Sequence, residues 1–206
     1  MIKNIVFDMG NVLAQFDPAL FCASRVKNPR DAVLLQRRVF ASVAWAQLDR
    51  GVITKEKAVK AMEKQLPKKL WGHAAWLVEH WYDHFRPDKK IEEFIRHLKE
   101  AGYRIYLLSN AGLDFYDFRP SLKALAYFDG ELISADVHLL KPDKDIFLTL
   151  LKKFTLKPGE CFFVDDMSAN VEAALHLGFK GMVYTGKIRD LALALSEAGV
   201  AVQPSI

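Results

Sequence analysis

The stretch Ile5-Val6-Phe7-Asp8-Met9-Gly10-Asn11-Val12-Leu13 decides how this chain folds. Three apolar residues run directly into an aspartate, and a glycine and an asparagine follow. A short run that is apolar at every position suits a strand buried on both faces, as in a parallel sheet. Asp8 then stands at the carboxyl end of that strand, where open α/β folds gather ligands. Gly10 lets backbone approach a ligand closely.

Downstream, strand-like and helix-like segments alternate. Residues 104–108 predict a second buried strand, ending in Ser109-Asn110. A third, shorter strand falls within 130–137. Residues 161–164 predict a fourth, ending in Asp165-Asp166, and 181–184 a fifth. Between them, Ile91, Phe94, Ile95, Leu98 and Ala101 share one helical face that stops at Gly102. Ile146, Phe147, Leu150, Leu151 and Phe154 mark a second helix after Lys141-Pro142. Val171, Ala174, Leu175 and Gly178 mark a third, and 188–198 the last. This alternation predicts an α/β fold, a Rossmann-like, doubly wound parallel sheet.

The segment after the first strand has a different pattern. Asp17-Pro18 is a helix start, and Thr54 can cap a helix carrying Ala58, Val59, Met62 and Leu66. Trp71, Ala74, Val78, Trp81, Tyr82 and Phe85 recur at helical spacing and read as core. No strand is evident here. The expected organisation is a small helical cap subdomain over residues 16–86, inserted into a core made of 1–15 and 87–206.

Composition narrows the function classes. The chain has 206 residues, 51% hydrophobic and 26% charged, enough to bury a sizeable core. No apolar run approaches the ~18 residues of a membrane span, so no membrane partner is expected. No secretory apolar segment is evident, which makes the cytoplasm the expected location. Cys22 and Cys161 are isolated, with no metal-knuckle spacing. A net charge of +4, with lysines in scattered pairs and no basic stripe, argues against nucleic acid and suits a small anionic substrate. Monomer and homodimer both remain open.

The strand ends carry the chemistry. Asp8, Ser109-Asn110 and Asp165-Asp166 fall on one edge of a parallel sheet, and Lys141 can approach it from the loop before its helix. Three neighbouring carboxylates repel unless a cation sits among them. Hard oxygen donors suit Mg²⁺. A cation, a lysine and a Ser/Asn turn together can hold a phosphoryl group. One free carboxylate can then attack phosphorus.

In this order, Asp8-Met9-Gly10-Asn11-Val12, Ser109-Asn110, Lys141-Pro142 and Asp165-Asp166 with Asn170 resemble the four motifs of the haloacid dehalogenase-like (HAD) hydrolase superfamily. The resemblance covers essentially the whole chain, and the helical block resembles the cap inserted after the first motif. The Asp-x-Gly-Asn-Val form of that motif is similar to the bacterial α-D-glucose-1-phosphate phosphatase group. The resemblance implies a Mg²⁺-dependent phosphatase for a small phosphorylated metabolite, with a sugar phosphate favoured. It implies Asp8 as nucleophile and metal ligand, with the Gly10 carbonyl as a second ligand. Asp166 is implied as the main acidic ligand, and Asp165 as a ligand or its neighbour. Met9, Gly10, Ser109 and Asn110 are the implied phosphate-binding positions. Lys141 neutralises charge on nucleophile and phosphate, and Asn170 steadies the fourth-motif loop.

One position departs from the superfamily pattern. Most of its phosphatases carry a second aspartate two residues after the nucleophile, as general acid and base; here that position is Gly10. Acid–base catalysis is worth ~10²–10⁴-fold. An easier leaving group could compensate, or a proton donor among Asp17, His73, His80 and His84; Arg50 could reach a substrate group. The alternatives are a metal-independent 2-haloacid dehalogenase using Asp8 on carbon, and a non-catalytic module that binds a phosphate ligand.

Overall fold

The computed structural model describes residues 1–202. The chain opens with β1 (Asn4–Phe7) and a two-residue strand, β2 (Ala14–Gln15). The α-helices α1 (Pro18–Arg25), α2 (Pro29–Arg38), α3 (Val43–Asp49), α4 (Lys55–Glu63) and α5 (Trp71–His80) follow, and β3 (Arg86–Pro87) closes this stretch. Then come α6 (Lys89–Glu100), β4 (Arg104–Ser109), α7 (Phe115–Phe118), β5 (Gly130–Ile133) and α8 (Ser134–Val137). The chain continues with α9 (Lys144–Lys153), β6 (Cys161–Asp165), α10 (Ser168–His176), β7 (Lys180–Val183) and α11 (Ile188–Glu197). Residues 203–206, part of the expected second core segment, lie outside the described residues.

The five longer strands form one parallel sheet in the order β5-β4-β1-β6-β7. β1 is central, and the chain winds outward from it in both directions. That is the doubly wound arrangement, with its ligand-binding crevice beside β1. β1 is buried at every position. Ile5 and Phe7 pack into one apolar layer and Val6 into the other, as the two-residue period of a strand requires. Ile91, Phe94, Ile95 and Leu98 of α6 cover the first face; Ile146, Phe147 and Leu150 of α9 cover the second.

The helical segment leaves and returns through one neck. β2 and β3 pair antiparallel, Ala14 opposite Pro87 and Gln15 opposite Arg86. The amide of Asp88 donates to the Leu13 carbonyl at 2.9 Å, extending the ribbon. These strands were not expected: two residues each, one a proline, carry no alternating pattern. Helix starts follow ordinary capping. Asp17 accepts from the Leu20 amide with Pro18 at the first position, and Thr54 accepts from the Lys57 amide.

Two expected helix faces differ in detail. Ala101 is exposed, because it caps α6 rather than continuing its apolar stripe. In α10 Leu175 is 48% exposed while Asn170 is buried. The inward face is rotated toward Asn170, whose amide is drawn in by a carboxylate at the end of β6.

Candidate active site at the strand ends

β1, β4 and β6 release Asp8, Ser109 and Asp165 at one edge of the sheet. The Asp8 amide still donates to Val164 at 2.8 Å, so Asp8 is held in strand register as its side chain leaves the sheet. Lys141 reaches in from the loop before α9. Its Nζ donates to Asp8 Oδ1 at 2.6 Å, Asp165 Oδ2 at 2.7 Å and the Leu108 carbonyl at 2.8 Å. Asn110 fixes the lysine backbone reciprocally: its Nδ2 donates to the Lys141 carbonyl at 2.9 Å, and its Oδ1 accepts from the Lys141 amide at 2.8 Å.

Asp165 is fully buried. It accepts from the Met167 amide at 2.8 Å and from Asn170 Nδ2 at 3.0 and 3.1 Å. Asp166, next in the chain, accepts from Asn11 Nδ2 at 2.9 Å. Asn11 has no role in the sequence reading, yet it ties the first loop to the fourth. Its backbone is left-handed (φ 55°), a conformation asparagine tolerates, and its Oδ1 accepts from the Phe16 amide at 3.0 Å. The signal was present as the Gly10-Asn11 turn. Ser134 was also missed. Buried beyond β5, its hydroxyl donates to the Asp49 carbonyl and accepts from the Ala111 amide, linking the helical layer to the loop after Asn110.

Electrostatics bind this cluster together. Burial pushes the Asp8 carboxyl up to about 6, with Lys141 opposing and Asp165 adding to the rise. Burial disfavours the Lys141 ammonium, but Asp8 and Asp165 outweigh it and raise the lysine above its ordinary value. Burial, with Asp165 beside it, also raises Asp166, against the bond from Asn11. Asp8, Asp165 and Asp166 each offer an oxygen, all within 4.8 Å of one another. Three carboxylates and one ammonium leave a surplus of negative charge on hard oxygen donors. That donor set fits Mg²⁺.

Gly10 does not occupy a position that forbids a side chain. A Cβ there would stand 3.9 Å from Phe16 Cβ and 4.0 Å from Asp8 Oδ2, ordinary contact distances. The proton-donor candidates lie in other contacts. Asp17 caps α1, and His80 pairs with Asp83. His84 stacks on Phe21, and the buried Nδ1 of His73 has no partner among the described residues. Arg50 is exposed at the end of α3, and its carbonyl meets His138 Nδ1 at 2.9 Å. A groove of about 710 Å³ reaches Asp166 and Asn11 from the side of Arg86 and Lys90.

The sequence matches the haloacid dehalogenase-like hydrolase family over residues 2–178, and the chain belongs to that family. It is a hydrolase, and Mg²⁺ is the cofactor that this donor set and this family imply. A sesquiterpene phosphatase, astK, of Aspergillus oryzae is 28% identical over 188 residues, covering 90% of this chain and 91% of that protein. A D-ribitol-5-phosphate phosphatase of Bacteroides thetaiotaomicron is 27% identical over 189 residues, 87% of this chain and 90% of that one. Among solved structures, a HAD family enzyme of Bacteroides thetaiotaomicron in complex with magnesium and inorganic phosphate has a TM-score of 0.67 at 22% identity. It covers 90% of this chain and 96% of that one. Among the described residues, no helix is long and apolar enough to cross a membrane.

Proposed function

We propose that this hydrolase is a Mg²⁺-dependent phosphatase that cleaves a small phosphate monoester through an aspartyl-phosphate on Asp8. One observation carries the reading. A single buried ammonium, Lys141, is bonded at once to Asp8 and to Asp165, with Asp166 beside them. Such a cluster holds one carboxylate ready at a fixed place while limiting its charge.

Asp8, Asp166 and the Gly10 carbonyl would hold the metal, with Asp165 anchoring the set. Bound there, Mg²⁺ supplies charge neutralisation for the carboxylates and the phosphoryl oxygens. The carboxylate of Asp8 attacks phosphorus and the ester oxygen departs with the bonding electrons. Lys141 holds charge on the attacking carboxylate. Ser109 and the backbone amides of Met9, Gly10 and Asn110 orient the phosphoryl oxygens. Water then attacks phosphorus, the aspartyl bond breaks, and Asp8 returns as carboxylate. Asn170 and Asn11 keep Asp165 and Asp166 aimed at this point.

The helices of residues 16–86 act as a cap over the core of 1–15 and 87–206, and the β2–β3 ribbon is the hinge on which it closes. The two relatives named above act, by their names, on a sesquiterpene phosphate and a sugar-alcohol phosphate. The phosphoryl site serves either, so the alcohol is chosen elsewhere. The motif carrying Gly10 keeps a sugar phosphate among the candidate esters, and a cytoplasmic location accords with a small phosphorylated metabolite.

The test is release of inorganic phosphate from a panel of phosphate esters and acetyl phosphate. Turnover with Mg²⁺ that EDTA abolishes and excess Mg²⁺ restores is expected. Phosphate release indifferent to EDTA contradicts the metal-dependent route. Halide release from 2-haloacids in EDTA, without phosphatase activity, selects the dehalogenase reading.

A further inference from the structure

A cavity of about 440 Å³ lies between the helical layer and the loop that follows Asn110. Its walls include Trp45, Leu48, Val52, Val78, Trp81 and Leu113. Two groups of residues bring its walls near the strand ends. On one side Phe16 stands over Gly10, and its ring lies 5.5 Å from Trp81 and 6.5 Å from Trp45. On the other side Gly112 and Leu113 begin two residues beyond Asn110, and both line the cavity.

Thr54, Lys55 and Asp114 in the walls are already engaged. Asp114 accepts from Trp81 Nε1 at 2.9 Å and lies 3.6 Å from Lys55 Nζ, which also donates to Glu79. Burial, together with Asp114, holds the Asp49 carboxyl well above the usual carboxylate range, which favours its neutral form. A sugar needs unspent donors and acceptors for each hydroxyl; a wall whose polar groups are paired leaves buried hydroxyls unmet. Asp114 in the same wall also disfavours a phosphate here, which orients an ester with its phosphoryl end toward Lys141.

We propose that this cavity receives the alcohol portion of the substrate, and that the alcohol is an unbranched or prenyl-like apolar chain or an aromatic ring rather than a sugar. The proposal rests on the phosphatase reading and names its substrate class.

The experiment uses the full chain with Mg²⁺. It compares a series of linear alkyl phosphates from ethyl to octyl with ribitol 5-phosphate, glucose 1-phosphate and acetyl phosphate. Burial of each methylene predicts a rise in kcat/KM on the order of two- to fourfold per CH₂ until the cavity is filled. Val52 and Leu113 are 52% and 60% exposed, so V52D and L113D are compatible with folding. Each is expected to lower kcat/KM for octyl phosphate at least tenfold more than for acetyl phosphate. A flat chain-length series, or a preference for the sugar phosphates, overturns the substrate class while phosphate release from acetyl phosphate leaves the phosphatase reading standing. No release from any compound overturns both.

Discussion

The strand-end cluster and the cavity beneath the helices differ in what fixes them. At the strand ends, the three aspartates, Lys141 and the asparagines are held by directed bonds at 2.6 to 3.1 Å, and Lys141 and Asp165 are almost wholly buried. In the cavity, apolar surfaces dominate and several wall residues, such as Val52 and Leu113, are exposed. Directed bonds define a position to a fraction of an ångström and permit one chemistry. Apolar walls define a shape and permit many ligands. The first region suits a reaction shared by a whole family, and the second suits a choice that differs between members.

The largest expected effect tests the strand ends against an ordinary surface pair. Lys141→Met removes the ammonium from between two buried carboxylates, and should cost about 3–5 kcal/mol of stability together with activity. Lys69→Met breaks the Lys69–Asp31 pair in the helical layer, 2.6 Å long but with the lysine 61% exposed. It should cost no more than about 1 kcal/mol. Urea unfolding of both variants measures the contrast, and equal losses would break it.

Gly10→Asp sharpens the comparison at the junction of the two regions. The position has room, and a carboxyl there would lie over the nucleophile. If the missing acid limits turnover, kcat for alkyl phosphates should rise by ~10²-fold, the low side of what acid–base catalysis supplies. Acetyl phosphate, whose leaving group needs less proton transfer, should gain less. Equal or reduced rates for both would show that another group already supplies the proton.

A smaller effect follows from the raised Asp8 carboxyl. Its folded value of about 6 lies above the ~3.9 of an unfolded aspartate, so the folded chain holds the proton more tightly. That contribution is fully present below about pH 4 and is lost as pH rises through about 6. In EDTA, unfolding free energy should fall over this window, by up to about 2–3 kcal/mol from this group. The same fall should be shallower in D8N. Parallel pH profiles for the two proteins would contradict the buried, charge-crowded site.

Much of this was legible in the chain itself. The run Ile5-Val6-Phe7 reads as a doubly buried strand because no position carries a charge, and β1 is the sheet's centre. Asp17, Thr54 and Gly102 punctuate helices through local chemistry that acts within a few residues. Features fixed by distant partners were not legible. The β2–β3 ribbon pairs residues about seventy positions apart through two-residue strands. Asn11 gains its partner from Asp166, and Ser134 from Ala111 and Asp49, across contacts that no periodicity encodes. Leu175 looked inward by spacing alone, but the bond from Asn170 to Asp165 turns the helix the other way. The cavity has no sequence signature, since its walls come from three separate segments.

The central claim is covalent capture of the phosphoryl group by Asp8. The most direct measurement mixes the Mg²⁺-loaded protein with a hydrolysed ester, quenches in acid within one turnover, and maps the peptide containing Asp8 by mass spectrometry. The account predicts a phosphoryl adduct on Asp8, labile to hydroxylamine, with D8N showing no adduct and at least ~10³-fold slower turnover. Unmodified Asp8 during active turnover, or D8N turning over at the wild-type rate, would contradict it.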